Sequence, residues 1–395
     1  MIYRFVFFAA APIYLFGFLW FCLRGDYLLS DVRVQNHIYA SVLFFTGFVI
    51  GGGLIEVFFF KNVKIYSKSK LILTDEHAIK VNKVANISGY LSCIFILLYV
   101  IDNGMAKILA IGSNLDGFEF RTIGWNHDNK FIQMPMELSR RAIMPFVILT
   151  KLTLARFHEG MERRSLFIFI ALFGIATVIN LDRGPLFVFI VMFAFYFWVH
   201  SKGILGKLWI ALIGISTMAI LGWAFTLLQY NSLDKFQLQN FLDSLFGVMV
   251  NRLILSPVIM GQTWVFDFGH EPLYLQYSRI SVLWGGAYVG HAEAFSQYVA
   301  PVGIIGDIER NFGTGYMTFF GLFLGLLFKS IQKLVTSLPE ETKISLNFVA
   351  LVLSLYLVHG GIFSLGPVAL ILFILLGAII LKSLFKSHYV VLPKK

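Results

Sequence analysis

Ten strongly apolar runs divide the chain, at about 5–23, 38–60, 84–101, 142–155, 165–181, 185–200, 208–228, 313–329, 346–363 and 367–385. A helix needs roughly 20 apolar residues to cross the hydrocarbon of a bilayer, and fewer if it is shielded by its neighbours. The pattern therefore predicts ten membrane helices. The fourth and eighth runs are short, and the stretch 241–306 has room for an eleventh. Polar residues gather between the runs, and two of the gaps are long: Asp102 to Arg141, and about Gln229 to Phe312.

Lysine sets the expected orientation. The gap at 61–83 carries Lys61, Lys64, Lys68, Lys70, Lys80 and Lys83. By the bias of lysine and arginine towards cytosolic loops, that gap faces the cytosol. Threading ten spans from there places both termini in the cytosol and both long gaps outside. The inner side then collects 20 Lys+Arg against 7 Asp+Glu, and the outer side 12 against 15. Residue type divides as well. Sixteen of the inner cations are lysine, whereas nine of the outer ones are arginine: Arg24, Arg33, Arg121, Arg140, Arg141, Arg183, Arg252, Arg279 and Arg310. A guanidinium is planar, always charged and grips phosphate through two bonds, so an arginine-rich outer face points to phosphate recognition there. Pairing with the outer acids would equally account for any one of these arginines.

Composition agrees with the hydropathy pattern. The mean hydropathy is +0.77 and only 14% of residues are charged, against about a quarter in a soluble domain. The expectation is an all-α polytopic membrane protein of about 10–11 spans, residues 1–395 forming one integral membrane domain with outer loops at 102–141 and 229–312. The net charge of +10 is explained by topology and not by nucleic acid, so no nucleic-acid partner is expected. Cys22 and Cys93 both lie in apolar runs and form neither a disulfide framework nor a metal-ligand spacing. The first run resembles a signal peptide but lacks a convincing cleavage site, and it reads as a retained span. No Gly-rich Lys-Ser/Thr loop is present, which argues against an ATP-driven pump.

Candidate chemistry sits in the outer gaps. Asp182-Arg183-Gly184-Pro185 makes a hairpin between two spans, with Pro185 suited to the first turn of the next helix. Arg183 is thereby fixed at a helix end, where either an anionic ligand or the adjacent Asp182 would satisfy it. Phe241–Met260 reads as a helix in which Arg252 shares a face with Leu245, Val248, Met249 and Ser256. A guanidinium on an apolar stripe needs a partner, either Asp243 or a ligand phosphate. Further on, Gly285, Gly286 and Gly290 precede His291 and Glu293, a stretch that permits close backbone approach to a ligand or is simply a glycine-rich loop. The second gap ends on Asp307, Glu309, Arg310, Asn311 and Thr314. Asn311 and Thr314 are natural caps for the helix that follows. Glu309 leads as a general base, followed by Asp307 and Glu293. Gly321 and Gly325 make a close helix-packing face. His359 lies near the outer end of the ninth span, as a packing residue or as part of the same cavity.

Taken together, the hairpin Asp182–Pro185, then Asn251-Arg252 with Met260-Gly261, then Asn311, Thr314, Phe319 and Gly321 opening a span, resemble the Wzy-type O-antigen polymerases, or oligosaccharide repeat-unit polymerases. The likeness covers the hydropathy profile and roughly residues 165–330. It implies a metal-independent membrane glycosyltransferase of the C-like class (class B), with no cofactor, in a bacterial inner membrane and with a periplasmic site. The implied substrates are undecaprenyl-diphosphate-linked oligosaccharides, whose growing glycan is transferred to the non-reducing end of a new lipid-linked unit. A chain-length regulator and a flippase are the candidate protein partners. The family's diphosphate-holding arginines map onto Arg183 and Arg252, with Arg310 a weaker third. An O-antigen ligase is the alternative within this chemistry. A transporter of lipid-linked sugars is the alternative from another class, although neither internal repeats nor interrupted helices in both halves are visible.

Overall fold

The computed structural model describes residues 3–4, 6–8, 10–15, 32–59, 70–101, 130–159, 164–178, 183–229, 303–360, 365–384 and 389–392. In chain order these form α1 (Val32–Leu54), β1 (Lys70–Leu73), α2 (Asp75–Tyr99), α3 (Lys130–Leu138), α4 (Met144–Phe157), α5 (Arg164–Val178), α6 (Arg183–His200), α7 (Ile204–Gln229), α8 (Gly303–Phe312), α9 (Met317–Thr336), α10 (Glu340–Gly360), α11 (Leu365–Leu384) and β2 (Tyr389–Leu392). A short helix, Val6–Leu15, precedes α1.

Among the described residues, five helices are long and apolar enough to cross a membrane: Gln35–Phe58, Asp75–Tyr99, Thr314–Thr336, Glu340–Val358 and Gly366–Ser383. Shorter apolar helices lie at Val6–Leu15, Arg164–Thr177, Pro185–His200 and Ile204–Thr217. Large apolar side chains stand exposed along them, among them Ile79, Ile87, Leu91, Ile94 and Leu98 on α2. Water does not tolerate such stripes on a monomer, whereas lipid does. The chain is a multi-pass helical membrane protein. The run at 142–155 does form helix, but α4 is only 14 residues long and carries Lys151 and Arg156, and it is not among the helices long and apolar enough to cross. The expected helix Phe241–Met260 lies outside the described residues.

Two compact units are present. The first contains residues 1–66, 246–337 and 350–380, and the second contains 67–245, 338–349 and 381–395. In the first unit α1 and α9 run parallel, backbone against backbone. A Cβ on Gly47 would lie 2.2 Å from the Thr318 carbonyl oxygen, and one on Gly51 2.2 Å from that of Leu322. From the other side, a Cβ on Gly321 would lie 2.1 Å from the Phe44 carbonyl oxygen and one on Gly325 2.2 Å from that of Phe48. Small residues are what allow helices in lipid, where burial gives no water-driven gain, to associate through close packing. Beside this seam, Phe44, Phe48 and Phe328 are fully buried, and Tyr3 stacks on Phe48 with ring centres 4.7 Å apart.

The second unit is held by polar contacts as well as packing. β1 and β2 pair antiparallel, Lys70 opposite Leu392 and Leu73 opposite Tyr389. Next to the sheet, His158 Nδ1 lies 2.7 Å from Asp75 Oδ1, and its Nε2 lies 2.9 Å from Glu341 Oε1. The Leu73 N–H donates to the same Glu341 oxygen at 3.1 Å. Residues near 73, 158, 341 and 390 are thereby joined. Deeper in, the buried Lys151 Nζ donates to Asn82 Oδ1 at 2.8 Å and Asn86 Oδ1 at 2.6 Å, and Ser165 Oγ donates to Asn86 Oδ1 at 3.0 Å. A buried ammonium without such acceptors would be expensive. Gly89 on α2 is small because the Phe169 ring lies against it, 2.4 Å from where a Cβ would stand.

Gly51→Ala and Gly321→Ala are expected to force α1 and α9 apart and to cost on the order of 1–3 kcal/mol each. Gly53→Ala, with nothing within 4 Å of the new methyl, is expected to be neutral. Thermal unfolding of the purified protein in detergent compares the three.

Candidate functional site

The acidic cluster expected near residue 310 forms a buried polar site in the first unit. It is built on α8, whose sequence Gly-Ile-Ile-Gly-Asp-Ile-Glu-Arg-Asn-Phe interleaves apolar and polar residues. Ile304, Ile305 and Ile308 are buried, and so are Asp307 (8% exposed), Glu309 (4%) and Asn311 (2%). Two glycines fix the ends of this helix. Gly303 has φ +64°, and a Cβ there would stand 1.8 Å from Tyr14 Oη. Tyr14 Oη accepts from the Ile304 N–H at 2.9 Å and donates to the Val358 carbonyl at 2.8 Å. One hydroxyl thus ties the start of α8 to the N-terminal helix and to α10. At the other end Gly313, at φ 79°, donates its N–H to the Glu309 carbonyl at 2.7 Å. Left-handed backbone of this kind costs glycine little and other residues considerably more.

The acids are held by specific donors. Glu309 Oε1 accepts from Asn36 Nδ2 on α1 and from Thr314 Oγ1, the latter at 3.0 Å. Asn311 Nδ2 donates to the Asp307 backbone carbonyl at 2.7 Å and to its Oδ1 at 3.2 Å. Behind them the buried His37 points Nε2 at the Tyr14 carbonyl, 3.0 Å away, and at Ser41 Oγ, 3.3 Å away. A carbonyl only accepts, so Nε2 carries the proton in that bond. The site offers a desolvated carboxylate gripped by two neutral donors, next to a second acid. Such a carboxylate can take a proton from a hydroxyl placed against it.

Of the residues expected from sequence, Asp307, Glu309, Asn311 and Thr314 come together here. The capping role expected for Asn311 and Thr314 is corrected: no side chain caps the turn Thr314–Tyr316 or α9. Both side chains donate instead to the neighbouring acidic residues, Asn311 to Asp307 and Thr314 to Glu309. Arg310 lies on α8 between Glu309 and Asn311 and His359 follows Val358 on α10, but the side chains of both fall outside the described residues. Arg183 is the first residue of α6, in the second unit, and its side chain is likewise not described. Asp182, Arg252, His291 and Glu293 lie outside the described residues.

Sequence reasoning missed Tyr14, Asn36, His37 and Ser41. The signal was the polar group Gln35-Asn36-His37 at the mouth of a span, with Ser41 one turn beyond His37.

Two of the arginines expected on the outer side pair with a nearby acid in the second unit. Arg140 (3% exposed) and Arg141 both pair with Glu137, Arg141 Nε at 2.6 Å from Oε2. These lie on a π turn, Ser139–Ile143, just before Pro145, which has no N–H to close a bond to residue 141. Burial pushes the Glu137 carboxyl up, but Arg140 and Arg141 outweigh it and hold the group below the ordinary carboxylate range.

No family model, curated protein or solved structure matches this chain.

A carboxylate with a lowered pKa stabilises the fold above its unfolded-state value and loses that contribution as pH falls through the folded value. Glu137→Gln is therefore expected to lower the thermal midpoint at neutral pH and to remove part of the acid sensitivity of the midpoint. Melting curves of the two proteins across the acid range test both effects.

Proposed function

We propose that the chain is a metal-independent membrane glycosyltransferase of the C-like class. In this reading it polymerises undecaprenyl-diphosphate-linked oligosaccharide repeat units at the periplasmic face of a bacterial inner membrane. The observation that carries the reading is the buried Glu309, gripped by Asn36 and Thr314 beside Asp307, at the ends of helices that the lysine pattern places outside. The excess of arginine over lysine on that side supports a diphosphate substrate, as does the resemblance in residues 165–330.

In the proposed reaction the bond between the donor sugar's anomeric carbon and the diphosphate oxygen breaks, its electron pair leaving with the diphosphate. The acceptor hydroxyl at the non-reducing end of a new lipid-linked unit forms the new glycosidic bond. Its proton passes to Glu309, with Asp307 and then Glu293 as the lesser candidates. Arg183 and Arg252, with Arg310 third, are proposed to hold the diphosphate and neutralise the charge that develops on it. Glycosyl transfer of this kind passes through an oxocarbenium-like state, which a nearby carboxylate also stabilises.

A strain lacking the gene is expected to show one repeat unit per lipid A core on a lipopolysaccharide gel, and the wild-type gene to restore the ladder. Arg183→Ala and Arg252→Ala, each inserted at normal level, are expected to lower the rate by about 10²–10³-fold. Glu309→Gln is expected to lower it by about 10²–10⁴-fold. Long chains from both arginine variants would overturn the diphosphate role. Cores with no glycan attached would identify a ligase, and repeats trapped at the cytosolic face a flippase.

A further inference from the structure

The geometry points to Asn36 as the positioning residue for Glu309, one that orients the carboxyl group for the acceptor hydroxyl and keeps it in its ionised form. The inference rests on the reading of Glu309 as the proton acceptor and deepens it. Asn36 and Glu309 stand 273 residues apart in sequence, and Asn36 Nδ2 donates to Oε1 directly. Thr314 Oγ1 donates to that same oxygen at 3.0 Å. Glu309 is only 4% exposed, so little water remains to stabilise its charge. Burial alone favours the neutral acid, whereas hydrogen bonds donated to the carboxylate favour the anion. An amide and an aliphatic hydroxyl suit this task because neither takes up a proton in the working pH range. Two donors on Oε1 also fix the plane of the carboxyl group, and with it the direction of Oε2.

The backbone explains why Asn36 is the residue that arrives there. α1 and α9 are parallel, with Phe44 set against Gly321 and Phe48 against Gly325. Asn36 lies about two turns before Phe44 on α1, and Gly313 and Thr314 lie in the segment that leads into α9. A slip of one turn, about 5.4 Å, would leave only one glycine of each pair at such a contact and set a larger residue where the other now stands. The height of Asn36 beside Glu309 is thus set by four glycines deeper in the membrane.

The test is a pH profile of polymerisation by the purified full-length protein in vesicles, fed lipid-linked repeat units. Asn36→Ala is expected to lower kcat about tenfold with KM within about twofold, the loss of one hydrogen bond to a charged group. It is also expected to move the acidic limb of the profile to higher pH. Thr314→Val should move the limb in the same direction, and Thr314→Ser, which keeps the hydroxyl, should not. The titratable groups facing this site among the described residues are Asp307 on α8, His37 on α1 and Tyr14 on the N-terminal helix. Repeating Asn36→Ala in a His37→Gln background should therefore leave the shift in place. A fall in rate with an unmoved limb in both Asn36→Ala and Thr314→Val would make the two residues structural only and overturn the inference, while leaving the base reading intact. Wild-type rates from Glu309→Gln would overturn the base reading itself. Should Asn36→Ala fail to insert, the Thr314 pair decides alone.

Discussion

The first unit depends on backbone contact between α1 and α9. In lipid, two helices gain nothing from hiding apolar side chains from each other, because the bilayer is as apolar as they are. What remains is close packing, and close packing needs glycine. Gly47 and Gly51 on one helix and Gly321 and Gly325 on the other bring carbonyl oxygens to where any side chain would collide. The register of that contact accompanies the candidate site, where Asn36 of α1 reaches Glu309.

A second constraint works at the site itself. Three acidic or amide side chains, Asp307, Glu309 and Asn311, are buried on one ten-residue helix. Nothing about a stable fold asks for this, because buried carboxylates are costly unless each is hydrogen-bonded. Each one is: Asp307 by Asn311, and Glu309 by Asn36 and Thr314. Tyr14 secures the start of this helix by joining the Ile304 N–H to the Val358 carbonyl near the end of α10. The cluster is costly, partnered, and held by segments far apart in sequence, and it is where the proposed chemistry is placed.

Much of this was legible in the sequence, for reasons that differ element by element. The apolar runs located the membrane helices, because length and hydropathy are what a bilayer selects. Their ends were less legible. α2 begins at Asp75, well inside a lysine-rich gap, because Lys80 and Lys83 stay on an exposed face while Ala78 and Val81 turn inward. The glycine spacing 321 and 325 gave the packing face, since it is local to one helix. Asp307 and Glu309 were visible as acids crowded at the end of a loop, but the helix that carries them was not. Asn36 and Tyr14 could not be found this way: their partners lie 273 and 290 residues off, and no spacing rule spans such distances. The error over Asn311 and Thr314 has the same origin, since a capping rule reads the next helix and not the carboxylate that folding places nearby.

The account as a whole claims that this chain breaks a glycosyl–diphosphate bond and builds a glycosidic one. The direct measurement is to mix the purified protein, reconstituted in vesicles, with lipid-linked repeat units and follow two products together. The account predicts that free polyprenyl diphosphate appears in step with new glycosidic bonds, one for one, with glycans lengthening on the lipid. Repeat units recovered intact, with no diphosphate lipid released, would contradict it.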